Sequence, residues 1–279
     1  MIAMKFNSRA LRIILVALLA LSIPCGIVFR VMQLFYAIDY ETGFYKEWHF
    51  SLPALDITLF AATVLTLVLV FFLKRVPLSA GFSKGRFGVS LLSFLCAAGL
   101  AGQLILQTMQ ESGWSVLMLV SAALSVVCTI SFIALGVKQT QALPESSAFL
   151  FRNIVLTLWC CSEMLLVFFD HSSESNTSEY VFVILFLYFA SLFFVKYGKL
   201  AFYNGPTYAT TFSLLASGSL MALFGFVLSV PNLVASCYGV TSWQSFSPFS
   251  CVAFPLAVYG LVFVCMSCLR SGSKKQLQI

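Results

Sequence analysis

The chain has 279 residues, of which 60% are apolar and only 9% charged, and its mean hydropathy is +0.97. Soluble domains carry about 25% charged residues, so a soluble enzyme and a nucleic-acid-binding domain are excluded: too few charges exist to cover a core of this size. The remaining solvent is lipid, in which each helical span takes about 20 apolar residues.

Eight apolar runs are long enough to cross a bilayer: 11–37, 53–73, 88–106, 114–137, 148–169, 180–195, 208–230 and 249–269. A β-barrel would need short segments alternating apolar and polar; runs such as 65–73 do not alternate. The expectation is one all-α transmembrane domain over 1–279, a polytopic bundle of about eight helices.

The first span has a basic start but is too long for a cleaved signal and lacks a clear small-x-small cleavage site. It reads as a retained helix, bent near Pro24 because proline removes a backbone donor. Arg30 and Gln33 lie one turn apart on one face near its far end. If the span stops at Phe29, Arg30 simply extends its head group to the interface. The segment 38–52 then supplies Asp39, Glu41 and His49 among the interfacial aromatics Tyr40, Phe44, Tyr45 and Trp48. Asp56, three residues past Pro53, reads either as a helix-capping acid or as part of an acidic path leading inward.

On the third span Gln103 and Gln107 share a face among Ala97, Ala98, Gly99, Ala101 and Gly102, which suits close helix packing and, second, solute contact. A faint similarity links Ser90-Leu91-Leu92 of this span to Ser213-Leu214-Leu215 of the seventh, as two parallel halves would produce. Glu163 of the fifth span is the plainest exception to the apolar rule. It lies eleven residues beyond Arg152 and seven before Asp170, so its depth below the span end is roughly 10 Å. An intramembrane charge costs at least about 2.5 to 3.5 kcal/mol, which calls for a partner or a task. If the first span reaches Ala37, Arg30 falls at a similar depth, and an Arg30 to Glu163 pair would neutralise both charges. The plainer reading of Glu163 is a paired or protonated acid that joins helices.

Alternating eight spans places fourteen of the sixteen basic residues on one side, including Lys5, Arg9, Lys74, Lys84, Lys138, Lys196 and Lys274. Short cytoplasmic loops retain Lys and Arg, so both termini are expected in the cytoplasm, with the chain in a plasma or inner membrane. The net charge of +6 then reflects basic loops lying against anionic headgroups.

Most of the nine cysteines lie within spans, where Cys acts as a small apolar residue. Cys237 and Cys251 both fall near the outer face, as a disulfide would require. Cys265 and Cys268 have redox spacing, without a second pair or a nearby His. The two histidines have no metal-ligand spacing, and no zinc-protease, nucleophile-elbow or phosphate-loop motif occurs. No cofactor or metal is therefore expected, and any energy-coupling ATPase would be a separate chain. The partners expected are the lipid bilayer and other membrane subunits, with no nucleic acid.

The functional expectation is a multi-pass protein that binds or transports a small cationic or proton-coupled solute. Glu163 and Arg30 would line the site, with Asp56, Gln33, Asp39 and Glu41 on the way in. Its rival is a membrane subunit, assembly factor or sensor in which the buried charges only pair helices.

Overall fold

The structure, a computed structural model, describes residues 8–38, 45, 49–73, 86–110, 113, 115–138, 147–170, 179–202, 208–239 and 247–269. It is an all-helical bundle with eight long apolar helices: α1 (Ser8–Met32), α2 (Ser51–Leu73), α3 (Arg86–Gln110), α4 (Val116–Lys138), α5 (Ser147–Asp170), α6 (Glu179–Phe202), α7 (Tyr208–Cys237) and α8 (Phe249–Leu269). Every one is long and apolar enough to cross a bilayer. Among the described residues the only extended pairing is an isolated antiparallel bridge between Ile38 and Tyr45.

The helices outrun several of the expected boundaries, because in lipid a backbone leaving the helix finds no water to bond. α6 continues past 195 to Phe202, carrying Lys196 and Lys199 in its final turns. Long cationic stems at such positions let the ammonium reach an interface from within a span. α7 runs through Pro231 to Cys237. Likewise α1 is helical on both sides of the exposed Pro24. A π-helical turn over Gln33–Ala37 follows it, and such turns accompany local side-chain demands.

Six helices close into a ring in the order α3, α4, α5, α6, α7, α8, with α8 returning to α3. Helices α1 and α2 pack outside it against α7, and α1 also touches α8. α7 is therefore buried along most of its length, whereas α2 and α4 present wide apolar faces outward. The expected kinship of α3 and α7 does not extend to environment: Leu91 is 53% exposed while Leu214 is fully buried.

Side-chain contacts define the two ends of the bundle. Arg12 at the start of α1 lies near Cys268 at the end of α8, and Arg152 at the start of α5 lies near Tyr197 at the end of α6. This basic end of the ring is filled by aromatics reaching inward from α4, α6 and α8. Phe193 stacks on Tyr197 at 5.6 Å, Phe263 meets Phe193 edge-on at 5.2 Å, and Phe132 meets Tyr259 at 6.4 Å. Such pairs add about 0.5 to 1.5 kcal/mol each beyond area burial.

Closure of the ring depends on a backbone approach. A Cβ on Gly99 of α3 would lie 2.5 Å from the Cys251 carbonyl oxygen and 2.7 Å from Pro255 of α8. Since lipid tails offer no hydrophobic drive for association, close van der Waals contact through small residues holds such helices together. Gly88, near the start of the same helix, has open space around it. Gly99→Leu is accordingly expected to destabilise the purified protein by about 1 to 3 kcal/mol, the usual cost of overpacking. Gly88→Leu should stay within about 0.5 kcal/mol of the parent. Thermal melting in one detergent measures both, and equal melting temperatures would contradict the packing described.

Candidate functional site

The interior of the ring away from the basic end is polar. Glu163 of α5 is fully buried, and two donors converge on its Oε1: the Ser121 hydroxyl of α4 at 2.6 Å and the Gln103 amide of α3 at 3.2 Å. Helices α3 and α5 are not neighbours in the ring, so the Gln103 bond spans its interior. The Ser162 hydroxyl donates to the Trp159 carbonyl at 2.8 Å, and its oxygen lies 3.3 Å from Ser121 Oγ across the contact of α5 with α4.

Trp159 and Gln107 lie beside the same carboxyl. Among the described residues, no lysine, arginine, histidine or second carboxyl acts on it. Glu163 Oε2, Gln103 Oε1 and the Trp159 indole nitrogen make no well-formed hydrogen bond among the described residues, although Trp159 and Gln107 point donors toward the carboxyl. Leaving a buried donor or acceptor unmade costs roughly 1 to 3 kcal/mol, and a cluster of such atoms commonly marks a role beyond packing.

The expected Arg30 to Glu163 pair does not form. Arg30 is buried, but it sits on α1, which shares no contact with α5 among the described residues. Its guanidinium donates to Gln33 Oε1 at 2.9 Å and to the Tyr45 hydroxyl at 3.4 Å, and lies over the Phe182 ring of α6 at 5.3 Å. Gln33 in turn donates to the Ser51 carbonyl at 3.1 Å, joining the π-helical turn to the start of α2. The face shared by Arg30 and Gln33 is thus real, while the partner is different. Packing α1 outside the ring removes it from α5.

Asp56 does not converge on either centre. It is exposed on α2, a helix that packs on α1 and α7 and has no contact with α5. Nor does it cap the helix, which begins at Ser51. His49 takes that position, its Nδ1 accepting the Ser51 backbone N–H at 3.3 Å and lying 2.7 Å from the Ser51 hydroxyl. Asp39 and Glu41 lie outside the described residues. Cys237 and Cys251 are free thiols, not joined to each other. Cys237 is exposed at the end of α7, whereas Cys251 is turned toward α3, with its Cβ about where Gly102 would meet it at 3.7 Å.

The sequence therefore located Glu163, Gln103, Gln107, Arg30 and Gln33, but not Ser121, Ser162, Trp159, Tyr45 or Phe182. Trp159 was within reach, since it precedes Glu163 by four residues and shares its helix face. Ser121 carries no such signal, because the register between two helices is written in no local pattern. No protein-family model, curated protein or solved structure matches the chain.

Cation–π contacts contribute about 0.5 to 2 kcal/mol depending on desolvation. Phe182→Leu, which keeps the apolar volume near Arg30, is expected to lower stability by that amount. Adding Arg30→Leu to the Phe182→Leu protein should cost less than adding it to the parent, because the contact is already gone. Melting of the four proteins measures the difference, and full additivity would count against the contact.

Proposed function

We propose that this multi-pass membrane protein binds and moves a small cationic or proton-coupled solute through a site centred on Glu163. The observation that carries this reading is the pairing of a fully buried carboxyl with unpartnered acceptor oxygens on two different helices. Two acceptors on facing walls, with no basic side chain between them, suit a positively charged donor. An indole N–H beside them provides a contact for an acceptor group on the solute, and its ring a face for a cation.

In the same reading the basic end faces the cytoplasm, with both termini there, and the membrane is the plasma or inner membrane. The support is the charge asymmetry of the sequence together with two packed pairs of helix ends: the start of α1, with Arg9 and Arg12, against the end of α8, and the start of α5, with Arg152, against the end of α6, with Lys196 and Lys199. The solute then enters from the opposite end, about 10 Å above Glu163.

The second reading, a membrane subunit or assembly partner whose buried charges join helices, is favoured by Arg30. Its contacts with Gln33, Tyr45 and Phe182 fasten α1 to the adjoining segment and to α6. We assign Arg30 and Gln33 to that role and Glu163 to the first.

Reconstituted vesicles offer the test. Uptake of methylammonium, with proton movement followed by an entrapped pH-sensitive dye, is expected for the parent and lost in Glu163→Gln, while the variant melts within about 1 kcal/mol of the parent. Uptake and proton movement unchanged by Glu163→Gln would overturn the assignment of the site.

A further inference from the structure

The hydrogen bonds at Glu163 are unevenly divided between its two oxygens. Oε1 receives both the Ser121 hydroxyl and the Gln103 amide, and Oε2 receives neither. An ionised carboxylate has two equivalent oxygens and gains by sharing donors between them. A neutral acid has one carbonyl oxygen with two lone pairs, which two donors fill, and one hydroxyl oxygen, which needs an acceptor. The observed division is the second pattern.

The Gln103 side chain that bonds Oε1 also carries a candidate acceptor. Gln103 donates its amide nitrogen to Oε1, while its own carbonyl oxygen is buried and unpartnered. A carboxylic acid and a primary amide are complementary: the amide N–H goes to the acid carbonyl, and the acid O–H goes to the amide carbonyl. One proton thus satisfies both orphaned oxygens at once. It also removes an uncompensated charge from the bundle interior, where ionisation without a counter-ion is costly. A proton needs no added space, which fits a cluster whose Glu163, Gln103, Trp159 and Ser121 side chains are all at most 1% exposed.

We propose that the resident cation of this site is a proton, held between Glu163 Oε2 and Gln103 Oε1 as one half of an acid–amide pair that bridges α5 and α3. This deepens the reading of Glu163 as a cation site and rests on it. The groups facing the proton are Gln103 and Gln107 from α3, Ser121 from α4, and Trp159 and Cys160 from α5 itself; Cys128 of α4 lies beyond Cys160. From α6 and α8 no ionisable side chain acts on Glu163. Gln103 is thereby a positioning residue for the proton.

Infrared spectroscopy of the whole protein in lipid at neutral pH provides the test. The difference between parent and Glu163→Gln is expected to contain the carbonyl band of a protonated carboxyl, shifted downward in heavy water. Gln103→Leu, which removes both amide bonds, should move that band to higher frequency. Glu163→Gln is expected to fold, since two amides pair in the same manner; should it not, labelling glutamate with heavy carbon in the parent and in Gln103→Leu gives the same comparison. Carboxylate bands alone, or an acid band indifferent to Gln103→Leu, would overturn the proposal. The outcome is separable from transport. A carboxylate-only spectrum with methylammonium uptake intact removes the proton and keeps the cation site. An acid band that responds to Gln103→Leu in a protein without uptake or proton movement removes the transport reading and keeps the pair.

Discussion

A carboxyl group inside a lipid-solvated bundle has no water to fall back on, so every bond it makes must come from the protein. Glu163 meets that demand at Oε1 with neutral partners from α3 and α4, with Trp159 of its own helix beside the carboxyl, and leaves Oε2 unfilled. Those partners can reach it only if the six helices form a closed ring with a polar interior. The ring in turn depends on α3 lying backbone to backbone against α8, which Gly99 permits and a larger residue would force apart at a cost in stability. One buried acid and one glycine contact are therefore parts of the same arrangement.

The molecule divides its polar residues between two centres that do not meet. Inside the ring, Glu163, Gln103, Ser121 and Trp159 form a cluster with unfilled hydrogen-bonding capacity. Outside it, Arg30, Gln33, Ser51 and Tyr45 form a network that fastens α1 and α2 to the ring, with Phe182 of α6 beneath the guanidinium. Below the inner cluster the aromatic packing around Tyr259 and Phe193 occupies the basic end. The closed ring is thus polar toward one end and aromatic toward the other.

Much of this was legible beforehand, for physical reasons that also explain the gaps. Hydropathy reveals spans because lipid imposes a length, and all eight runs became helices. Their ends were less legible: α6 and α7 ran on through Lys196 and Pro231, since the backbone prefers helix to an unbonded state at that depth. Glu163, Arg30 and the two glutamines stood out because polar groups are rare in such a chain. Which of them meet depends on how helices are arranged around one another, and depth alone misled in pairing Arg30 with Glu163. Asp56 failed as a cap for a local reason, the His49 ring standing two residues before the helix start at Ser51.

The account stands on the identity of Glu163's partner, and a pair of double-mutant cycles measures it most directly. Stabilities of Glu163→Leu, Gln103→Leu and Arg30→Leu, singly and in pairs, would be read from unfolding in a common detergent. The expected result is a coupling between Glu163 and Gln103 of about 0.5 to 3 kcal/mol and additivity of Glu163 with Arg30 to within about 0.5 kcal/mol. Coupling of Glu163 to Arg30 with none to Gln103 would contradict the arrangement of the bundle itself.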